Sequence, residues 1–308
     1  MKILVVGSGA VGGYFGGLLA KGGEDVTFVA RGEYLASIKS SGLRIRSSRG
    51  DLTLKVNAVG DPQEIGEVDL ILMCVKAYDT EAATLPCVKN IGKETIVLSL
   101  QNGVDNEEII GRIVGRERVL GGVVLIASEV YESWEIIHYS FGKLIIGELG
   151  GGISDRIQKV SESFKKADIP CSLSNNIQLE LWKKLVWNAS FNSVSTITRS
   201  TLHDMLRCEE SRRLIRLAME EVLAVAKGVG HDIGKSVIEN YFVEPERSRE
   251  MRTSTLQDFL KQKQLEIEAI NGVVVRKGKE LDLPTPYNST LYALLKLIES
   301  RPPTTHSS

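Results

Sequence analysis

The sequence has few of the residues that build metal sites or disulfide frameworks. Its 308 residues include only four cysteines and four histidines. The cysteines are far apart and form no C-x-x-C pair, and the histidines show no H-x-x-x-H spacing. Zinc sites need closely spaced ligands, and disulfide frameworks belong mainly to small secreted chains. The sequence therefore predicts neither a metal site nor a fold held together by disulfides.

Excess charge and long hydrophobic runs are also missing. The 38 Lys and Arg residues nearly balance the 39 Asp and Glu residues, which leaves a formal net charge of −1 and no general attraction to nucleic acid or anionic membranes. No segment approaches 18 uninterrupted apolar residues, and the first residues lack the basic-then-apolar order of a signal peptide. We therefore expect a cytoplasmic protein without nucleic-acid or membrane partners.

The composition that is present is typical of a globular protein with two domains. Hydrophobic residues make up 43% of the chain and charged residues 25%, and 308 residues are enough for two cores. Before about residue 174, short apolar runs alternate with helical patterns. After it, long helical patterns take over. The sequence therefore predicts an α/β domain over residues 1–174 and an all-helical domain over residues 175–308.

A glycine-rich motif at the start of the chain identifies the type of α/β domain. The apolar, mostly β-branched run Ile3 to Val6 is typical of a buried parallel strand, and Gly7, Gly9 and Gly12 follow it in G-x-G-x-x-G spacing. In a Rossmann fold these glycines permit a tight turn, approach of the backbone to a pyrophosphate, and close packing of the following helix. The alternative is an ordinary glycine-rich turn. The predicted contacts to the cofactor come from Gly7, Ser8, Gly9, Ala10, Val11 and Gly12.

The end of the second strand predicts which dinucleotide is bound. The run Asp25 to Ala30 ends about 20 residues beyond the glycines, where an NAD site places an acidic residue for the ribose hydroxyls. Here the chain has Arg31 and no acidic residue before it. An arginine at this place suits a 2′-phosphate, so the sequence favours NADP(H) over NAD. The alternative is an exposed arginine that begins a loop.

Two further polar residues follow buried strands. Lys76 ends the apolar run Val68 to Val75, and Asn102 follows the run Thr95 to Leu100. Ligands of open α/β sheets lie beyond the carboxyl ends of the strands, so both side chains are candidates for binding cofactor or substrate. Taken singly, Lys76 could equally be a solvated lysine and Asn102 part of a simple turn.

Several other runs in the first domain also have strand character. Leu43 to Arg46 and Leu52 to Val56 alternate apolar with polar or charged residues, which predicts an antiparallel hairpin. Ile136 to Tyr139 and Leu144 to Gly147 are interpreted as two strands that close a second hairpin.

The first helix of the predicted helical domain has an ordered row of polar residues. Lys184, Asn188 and Asn192 recur every four residues in an otherwise apolar stretch, which places an ammonium and two amides on one helix face. Buried amides need hydrogen-bond partners, and a polar ligand would supply them. The alternative is a structural network in which Lys184 pairs with Glu180 and the asparagines bond to neighbouring helices.

These motifs are part of a larger set spread over the whole chain. It comprises Gly7-x-Gly9-x-x-Gly12, Val75-Lys76, Gln101-Asn102-Gly103, Trp182-x-Lys184-Leu185-x-x-Asn188-x-x-x-Asn192, Ser254-Thr255-Leu256-Gln257-Asp258 and Glu266-Ile267-x-x-Ile270-Asn271-Gly272. The set resembles the ketopantoate reductases, the 2-dehydropantoate 2-reductases of pantothenate and coenzyme A synthesis. The resemblance implies that Lys184 is the catalytic acid and that Glu266 stands near the nicotinamide and the reacting carbon. It also implies that substrate is held by Asn102, Asn188, Asn192 and Ser254, and cofactor by Arg31, Lys76, Asn102 and Glu266.

The chain departs from the family pattern at two places. Members commonly have a substrate-contacting Asn about 18 residues after the lysine, where this chain reads Arg199 to His203 without one. Many also place a Gly-Arg turn before the glutamate, where this chain has Lys261 to Leu265. A continuous helix would separate Ser254 and Glu266 by ~18 Å. Either the chain turns here without a glycine, or only one of the two residues contacts the substrate.

The resemblance implies an NADPH-dependent reductase of 2-dehydropantoate, with a small 2-keto acid as its partner. One alternative is a reductase of another branched 2-keto acid on the same scaffold. The other is a non-catalytic NADP(H)-sensing protein, although such a protein has no need of Lys184, Asn188, Asn192 and Glu266. The sequence allows a monomer or a homodimer.

Overall fold

The computed structural model describes residues 1–131, 134–243 and 251–300. The chain forms two compact units. The first comprises Met1–Gln101 and Asp105–Glu180, and the second comprises Asn102–Val104 and the chain from Leu181. The first is an α/β unit built on one sheet, and the second is helical. The predicted fold class, a Rossmann-type domain followed by an all-helical domain, is confirmed.

Within the described residues, the first unit contains a ten-stranded sheet. Its strands are β1 (Lys2–Val6), β2 (Asp25–Val29), β3 (Leu43–Ser47), β4 (Leu52–Leu54), β5 (Asn57–Val59), β6 (Val68–Met73), β7 (Ile91–Ser99), β8 (Val119–Val130), β9 (Ile136–Glu148) and β10 (Cys171–Ser174). Their spatial order is β4-β3-β9-β8-β7-β6-β1-β2-β5, with β10 beside β9. The α-helices that begin in this unit are α1 (Ala10–Lys21), α2 (Gly32–Ser41), α3 (Thr80–Thr84), α4 (Asn106–Val114), α5 (Asp155–Lys166) and α6 (Ile177–Trp187).

Strand β1 is covered on both faces, as its sequence predicts. Ile3 and Val5 belong to one apolar cluster, which includes Tyr14 and Phe15 of α1. Leu4 and Val6 belong to a second cluster on the opposite face. Alternate residues of a strand point to opposite faces, so an entirely apolar strand is expected where both faces are buried.

The sheet topology brings three strand ends to one edge. β1 pairs in parallel with both β2 and β6, so that Val6 lies opposite Val29 and Met73. β7 is parallel to β6. The residues that follow β1, β2 and β6 therefore lie at the same edge of the sheet, where open α/β folds bind their ligands.

One predicted hairpin is confirmed and the other is wrong. β3 and β4 pair antiparallel with Leu43 opposite Leu54. The runs Ile136 to Tyr139 and Leu144 to Gly147, in contrast, are parts of the single strand β9, which pairs antiparallel with β8. The polar and glycine-containing segment between them forms bulges, with Phe141 at φ 65° and Gly142 at φ 88°. A bulge inserts a residue without reversing the chain, and its sequence signature is close to that of a turn.

The second unit is built from short helices. After α6 come α7 (Ser193–Thr198), α8 (Leu202–Arg207), α9 (Glu209–Gly228), α10 (Ser236–Tyr241), α11 (Ser254–Leu260), α12 (Val273–Glu280) and α13 (Pro286–Glu299). Two π-helical segments lie among them, Asn188–Asn192 between α6 and α7 and Glu268–Gly272 before α12. On α9, the side chains of Ile215, Met219, Val222 and Ala226 are fully buried.

The first turn of α6 packs within the first unit. Ile177 is fully buried, and its side chain lies directly over Gly121 and Gly147 of the sheet. A Cβ on Gly147 would come within 2.5 Å of the Ile177 Cβ. The division between the units accordingly falls inside α6, after Glu180.

In the described parts of the chain, no helix combines the length and the apolar character that crossing a membrane would require.

Candidate functional site

The glycine loop of the first unit has the geometry that a dinucleotide needs. Gly7 has φ 95°, and a Cβ there would lie 2.6 Å from the backbone nitrogen of Val75. A Cβ on Gly12 would overlap the carbonyl oxygen of Gly7. Gly9 differs, because a Cβ there would meet no atom within 4 Å. Gly7 and Gly12 are thus needed for internal packing, whereas Gly9 faces open space at the N-terminus of α1, where a pyrophosphate would bind.

Ser8 stabilises the glycine loop through its side chain. Its side chain is buried, and its hydroxyl donates a hydrogen bond to the carbonyl oxygen of Val29, at 2.8 Å. This bond joins the glycine loop to the end of β2. Ala10 and Val11 form the first turn of α1, for which Gly9 is the N-cap residue. Backbone N–H groups of this turn are therefore the donors that the loop offers to a phosphate.

The two predicted basic contacts to the cofactor lie on either side of the glycine loop. Arg31 is exposed and is the N-cap residue of α2, just after β2. Lys76 is partly exposed and precedes a short 3₁₀ helix, Ala77–Asp79, after β6. β2 and β6 are the two neighbours of β1, so the sheet brings both residues to the edge where Gly7 lies.

A buried polar network lies beneath Lys76. The side-chain amide of Gln101 donates to the carbonyl oxygen of Val75, at 3.1 Å, and to the Thr80 hydroxyl, at 2.7 Å. Thr80 lies within 2.9 Å of the Asn106 side-chain oxygen. All three polar side chains are buried. The network fixes the end of β6 against the starts of α3 and α4, and thereby holds the backbone from which Lys76 extends.

In the second unit, the predicted row of polar residues crosses a change of helix type. Lys184 lies in the last turn of α6 and is partly exposed, whereas Asn188 and Asn192 are buried in the π-helical segment. The Asn192 amide donates to the Asn188 side-chain oxygen, at 3.2 Å, so the two amides remain adjacent. The i, i+4, i+8 pattern predicts a regular α-helix through Asn192, but the structure has a π-helical segment there. π-Helical turns occur frequently at functional sites.

The residue that contacts Asn192 from α11 is Thr255. The Asn192 amide also donates to the Thr255 hydroxyl, at 3.3 Å. Ser254, the predicted substrate contact, is exposed at the first turn of α11, and Thr253 caps that helix by accepting from the Leu256 N–H. The Ser254 hydroxyl is therefore accessible to a ligand, and Thr255 takes the structural role beside it.

Asn102, a predicted contact to both cofactor and substrate, is joined by a hydrogen bond to Glu266, which is predicted to stand near the nicotinamide and the reacting carbon. The Asn102 amide donates to the Glu266 carboxylate at 3.1 Å, and Glu266 is only 7% exposed. Asn102–Val104 packs within the second unit although β7 and α4, on either side of it, belong to the first. The short segment after β7 thus fixes the orientation of an acidic side chain that is distant in sequence.

The chain does turn between Ser254 and Glu266, and no glycine is involved. α11 ends at Leu260, and Gln262 adopts the left-handed conformation with φ 54°. The Gln262 and Lys263 N–H groups bond back to carbonyl oxygens of α11, at 3.0 and 2.9 Å. The continuous helix that would separate the two residues by ~18 Å therefore does not form.

The segment Arg199 to His203, where the family resemblance implies a further Asn, contains a helix break. Arg199 is left-handed, with φ 58°, at the end of α7. Thr201 and Asp204 then form a reciprocal capping box at the start of α8. This segment satisfies its own polar groups locally.

Several functional candidates were not assigned from the sequence. Gln101, Thr255 and Asn271 stand inside the recognised motifs but had no predicted role, while Thr80 and Asn106 gave no signal beyond being polar residues near helix starts. Burial is what distinguishes them, and it depends on residues distant in sequence.

Comparison with known proteins shows that both parts of the chain match one protein family. Residues 3–151 match the profile of a family described as ketopantoate reductase PanE/ApbA, and residues 176–299 match the profile of that family's C-terminal region. The 2-dehydropantoate 2-reductase of Nostoc sp. is 33% identical over 309 residues, covering 97% of this chain and 96% of that protein.

Solved structures agree with the sequence comparison. The 2-dehydropantoate 2-reductase from Geobacter metallireducens superposes with a TM-score of 0.92 at 32% identity, covering 96% of this chain and 99% of that one. A D-mandelate dehydrogenase in complex with NADH and anilino(oxo)acetate superposes with a TM-score of 0.92 at 26% identity, covering 97% and 98%.

Proposed function

This chain belongs to the ketopantoate reductase PanE/ApbA family, and on that premise we propose that it reduces 2-dehydropantoate to (R)-pantoate with NADPH. The resemblance inferred from the six motifs is confirmed by the family match. The observation that supports the activity most directly is that the chain pairs an open glycine loop in one unit with Lys184, Asn188 and Asn192 in the other. A protein that only sensed NADP(H) would need the first and not the second.

The residues of the first unit fit a dinucleotide with a 2′-phosphate. The open space at Gly9 and the N-terminus of α1 suit a pyrophosphate, and the Arg31 guanidinium suits the additional phosphate. Lys76 offers a further positive charge. When bound, the reduced nicotinamide supplies a hydride to the substrate's ketone carbon.

The second unit provides the groups that complete this reduction. As hydride reaches the carbon, negative charge develops on the ketone oxygen, and Lys184 stabilises that charge and donates the proton. The amide of Asn188 and the hydroxyl of Ser254 hold the substrate's oxygens in reactive geometry, and Asn192, whose amide N–H groups donate to Asn188 and Thr255, contacts the substrate through its side-chain oxygen. Glu266, oriented by the Asn102 amide, stands beside the reacting carbon.

The test is NADPH oxidation followed optically with a panel of 2-keto acids. The panel contains 2-dehydropantoate, other branched 2-keto acids and an aryl 2-keto acid, because one structural relative is a D-mandelate dehydrogenase. Each acid is assayed with NADPH and with NADH. The proposal requires the highest kcat/KM for 2-dehydropantoate with NADPH. A higher value for another acid would reassign the substrate, and tight NADPH binding without turnover would favour the sensing alternative.

We also propose that the enzyme is cytoplasmic and is a monomer or a homodimer. Exposed Leu294 and Leu297 on α13 would be available to a second copy. Light scattering after size-exclusion chromatography distinguishes the two states.

A further inference from the structure

The two π-helical segments of the second unit are joined by one buried side chain. Asn271 lies in the second segment and is fully buried. Its amide donates to the carbonyl oxygen of Ala189 in the first segment, at 2.8 Å. Its side-chain oxygen accepts from the hydroxyl of Ser193, the residue that follows the first segment, at 2.7 Å. Asn271 therefore holds the first π-helical turn at two points, one inside it and one directly after it.

A further hydrogen bond, to Asn288, fixes the Asn271 side chain. Its amide donates a second hydrogen bond to the side-chain oxygen of Asn288, at 3.2 Å. Asn288, also fully buried, donates to the Ala218 carbonyl oxygen and to the Glu221 carboxylate, at 3.0 and 2.8 Å. Both amide protons and the oxygen of Asn271 are thus used, so its side chain has one orientation.

What Asn271 holds is the backbone of two predicted substrate contacts. A π-helical turn is wider than an α-helical turn, and it changes the direction of the side chains within and after it. Asn188 and Asn192 are the first and last residues of this turn, and Ala189 lies between them. We propose that Asn271 is a positioning residue for the reaction, and that it sets the directions of the Asn188 and Asn192 amides by clamping the π-helical turn. The proposal rests on the proposed function, because those amides act on the substrate only if the chain is the reductase.

The test combines kinetics with hydrogen exchange in the full-length protein. Asn271→Leu keeps the approximate shape of the side chain and removes its hydrogen bonds. We expect kcat/KM for the 2-keto acid to fall roughly 10- to 100-fold per folded molecule, since small displacements of substrate-holding groups have effects of this size. The Kd for NADPH should not change. Amide exchange in a peptide spanning residues 186–194 should become faster.

Further variants separate this effect from a general loss of stability. Asn90→Ala removes another fully buried asparagine, whose amide donates to the carbonyl oxygens of Pro62, Ile65 and Gly66, and should lower stability without changing kcat/KM. In an Asn192→Ala background, Asn271→Leu should lower kcat/KM by a smaller factor than in the wild type, because one of the two groups it positions is already gone. If Asn271→Leu does not fold, Ser193→Ala removes one of the two points of attachment and is expected to give the same pattern at smaller size.

Several outcomes would refute the proposal. Unchanged exchange in residues 186–194 means that Asn271 does not hold the turn. Full additivity with Asn192→Ala, or an equal loss of NADPH affinity, means that its effect is general destabilisation. The exchange measurement does not depend on turnover. A wild-type chain that reduces no 2-keto acid would therefore refute the proposed function, while exchange would still report whether Asn271 holds the turn.

Discussion

At the scale of single residues, Arg31 is predicted to determine the choice of cofactor. Arg31→Ala should lower the ratio of kcat/KM with NADPH to that with NADH by roughly 10- to 100-fold, because a charge-assisted hydrogen bond contributes about 1.5–3 kcal/mol. Steady-state kinetics with both cofactors measure the ratio. Arg112→Ala is the control, since Arg112 is exposed and pairs with Glu108 on α4. An unchanged ratio in Arg31→Ala would make Arg31 an ordinary helix-cap residue.

Lys184 is the residue at which the catalytic and structural interpretations differ most. Lys184→Ala should lower kcat by roughly 10²-fold or more, as loss of a positioned proton donor usually does, while NADPH binding persists. The control is Lys183→Ala, the adjacent lysine of α6. Turnover is normalised to the folded fraction. Near-normal kcat in Lys184→Ala, together with a large loss in Lys183→Ala, would show that the wrong face of α6 was assigned to the substrate.

Residue roles were predictable from the sequence where a local motif fixes the backbone. The G-x-G-x-x-G spacing predicts a tight turn at Gly7 and close packing at Gly12, and the structure shows both. The partner of Asn192 was not predictable, since Thr255 lies 63 residues away and its approach depends on how helices pack.

At the scale of elements, the glycine loop and α1 predict that substitutions at Gly9 and Gly12 differ in their effect on stability. Gly12→Ala should lower both thermal stability and NADPH affinity, because the added Cβ would overlap the Gly7 carbonyl oxygen. Gly9→Ala should leave stability nearly unchanged, since the added methyl meets no protein atom within 4 Å, yet it should weaken NADPH binding. Thermal unfolding and NADPH titration of both variants provide the measurement. Wild-type NADPH affinity in Gly9→Ala would contradict binding of pyrophosphate at this loop.

Regular elements were predicted better than irregular ones. Apolar runs indicated the central strands, because burial of both faces of a strand requires apolar residues at every position. The π-helical segment Asn188–Asn192 and the bulged strand β9 were missed, since in both the chain keeps its hydrophobic pattern while inserting an extra residue. The left-handed turn at Gln262 could not be predicted, because glutamine gives no turn signal.

At the scale of the whole molecule, a buried carboxyl should make global stability depend on pH. Glu107 in the first turn of α4 is 1% exposed, and burial raises its pKa from 4.5 to about 7, although contacts with its own N–H and with Ser99 oppose the shift. The folded chain thus holds this proton more tightly than the unfolded chain. The contribution of Glu107 to stability is therefore full below about pH 4.5 and is lost as the pH rises through about 7.

Replacing this carboxyl should remove that dependence. Glu107→Gln should match the wild type in free energy of unfolding near pH 4 and exceed it at pH 8, by on the order of 3 kcal/mol. Urea unfolding at the two pH values measures both differences. Glu108→Gln, a change at the exposed neighbouring position that leaves Glu107 in place, should keep the pH dependence of the wild type. A stability difference that is the same at both pH values would contradict an ionisation origin.

The two-domain architecture was predictable because the hydrophobic pattern changes along the sequence, from strand-type runs to helical spacing. The proposed boundary at residue 174 and the division observed after Glu180 differ by half a dozen residues, since Ile177 starts a helix yet packs on the sheet. No local pattern reports that a helix begins in one unit and ends in another. Asn102–Val104, which packs with residues far along the chain, is equally invisible to local reasoning.

The strand order also has a consequence for folding during synthesis. β3 pairs with β9, and the Ser47 hydroxyl bonds to His138, which lies 91 residues later in the chain. On the ribosome, the β3–β4 hairpin is therefore complete long before its permanent neighbour exists, and one edge of β3 stays unpaired throughout that interval. A nascent chain arrested before residue 136 would expose this edge to other polypeptides. That exposure ends only when β9 leaves the exit tunnel.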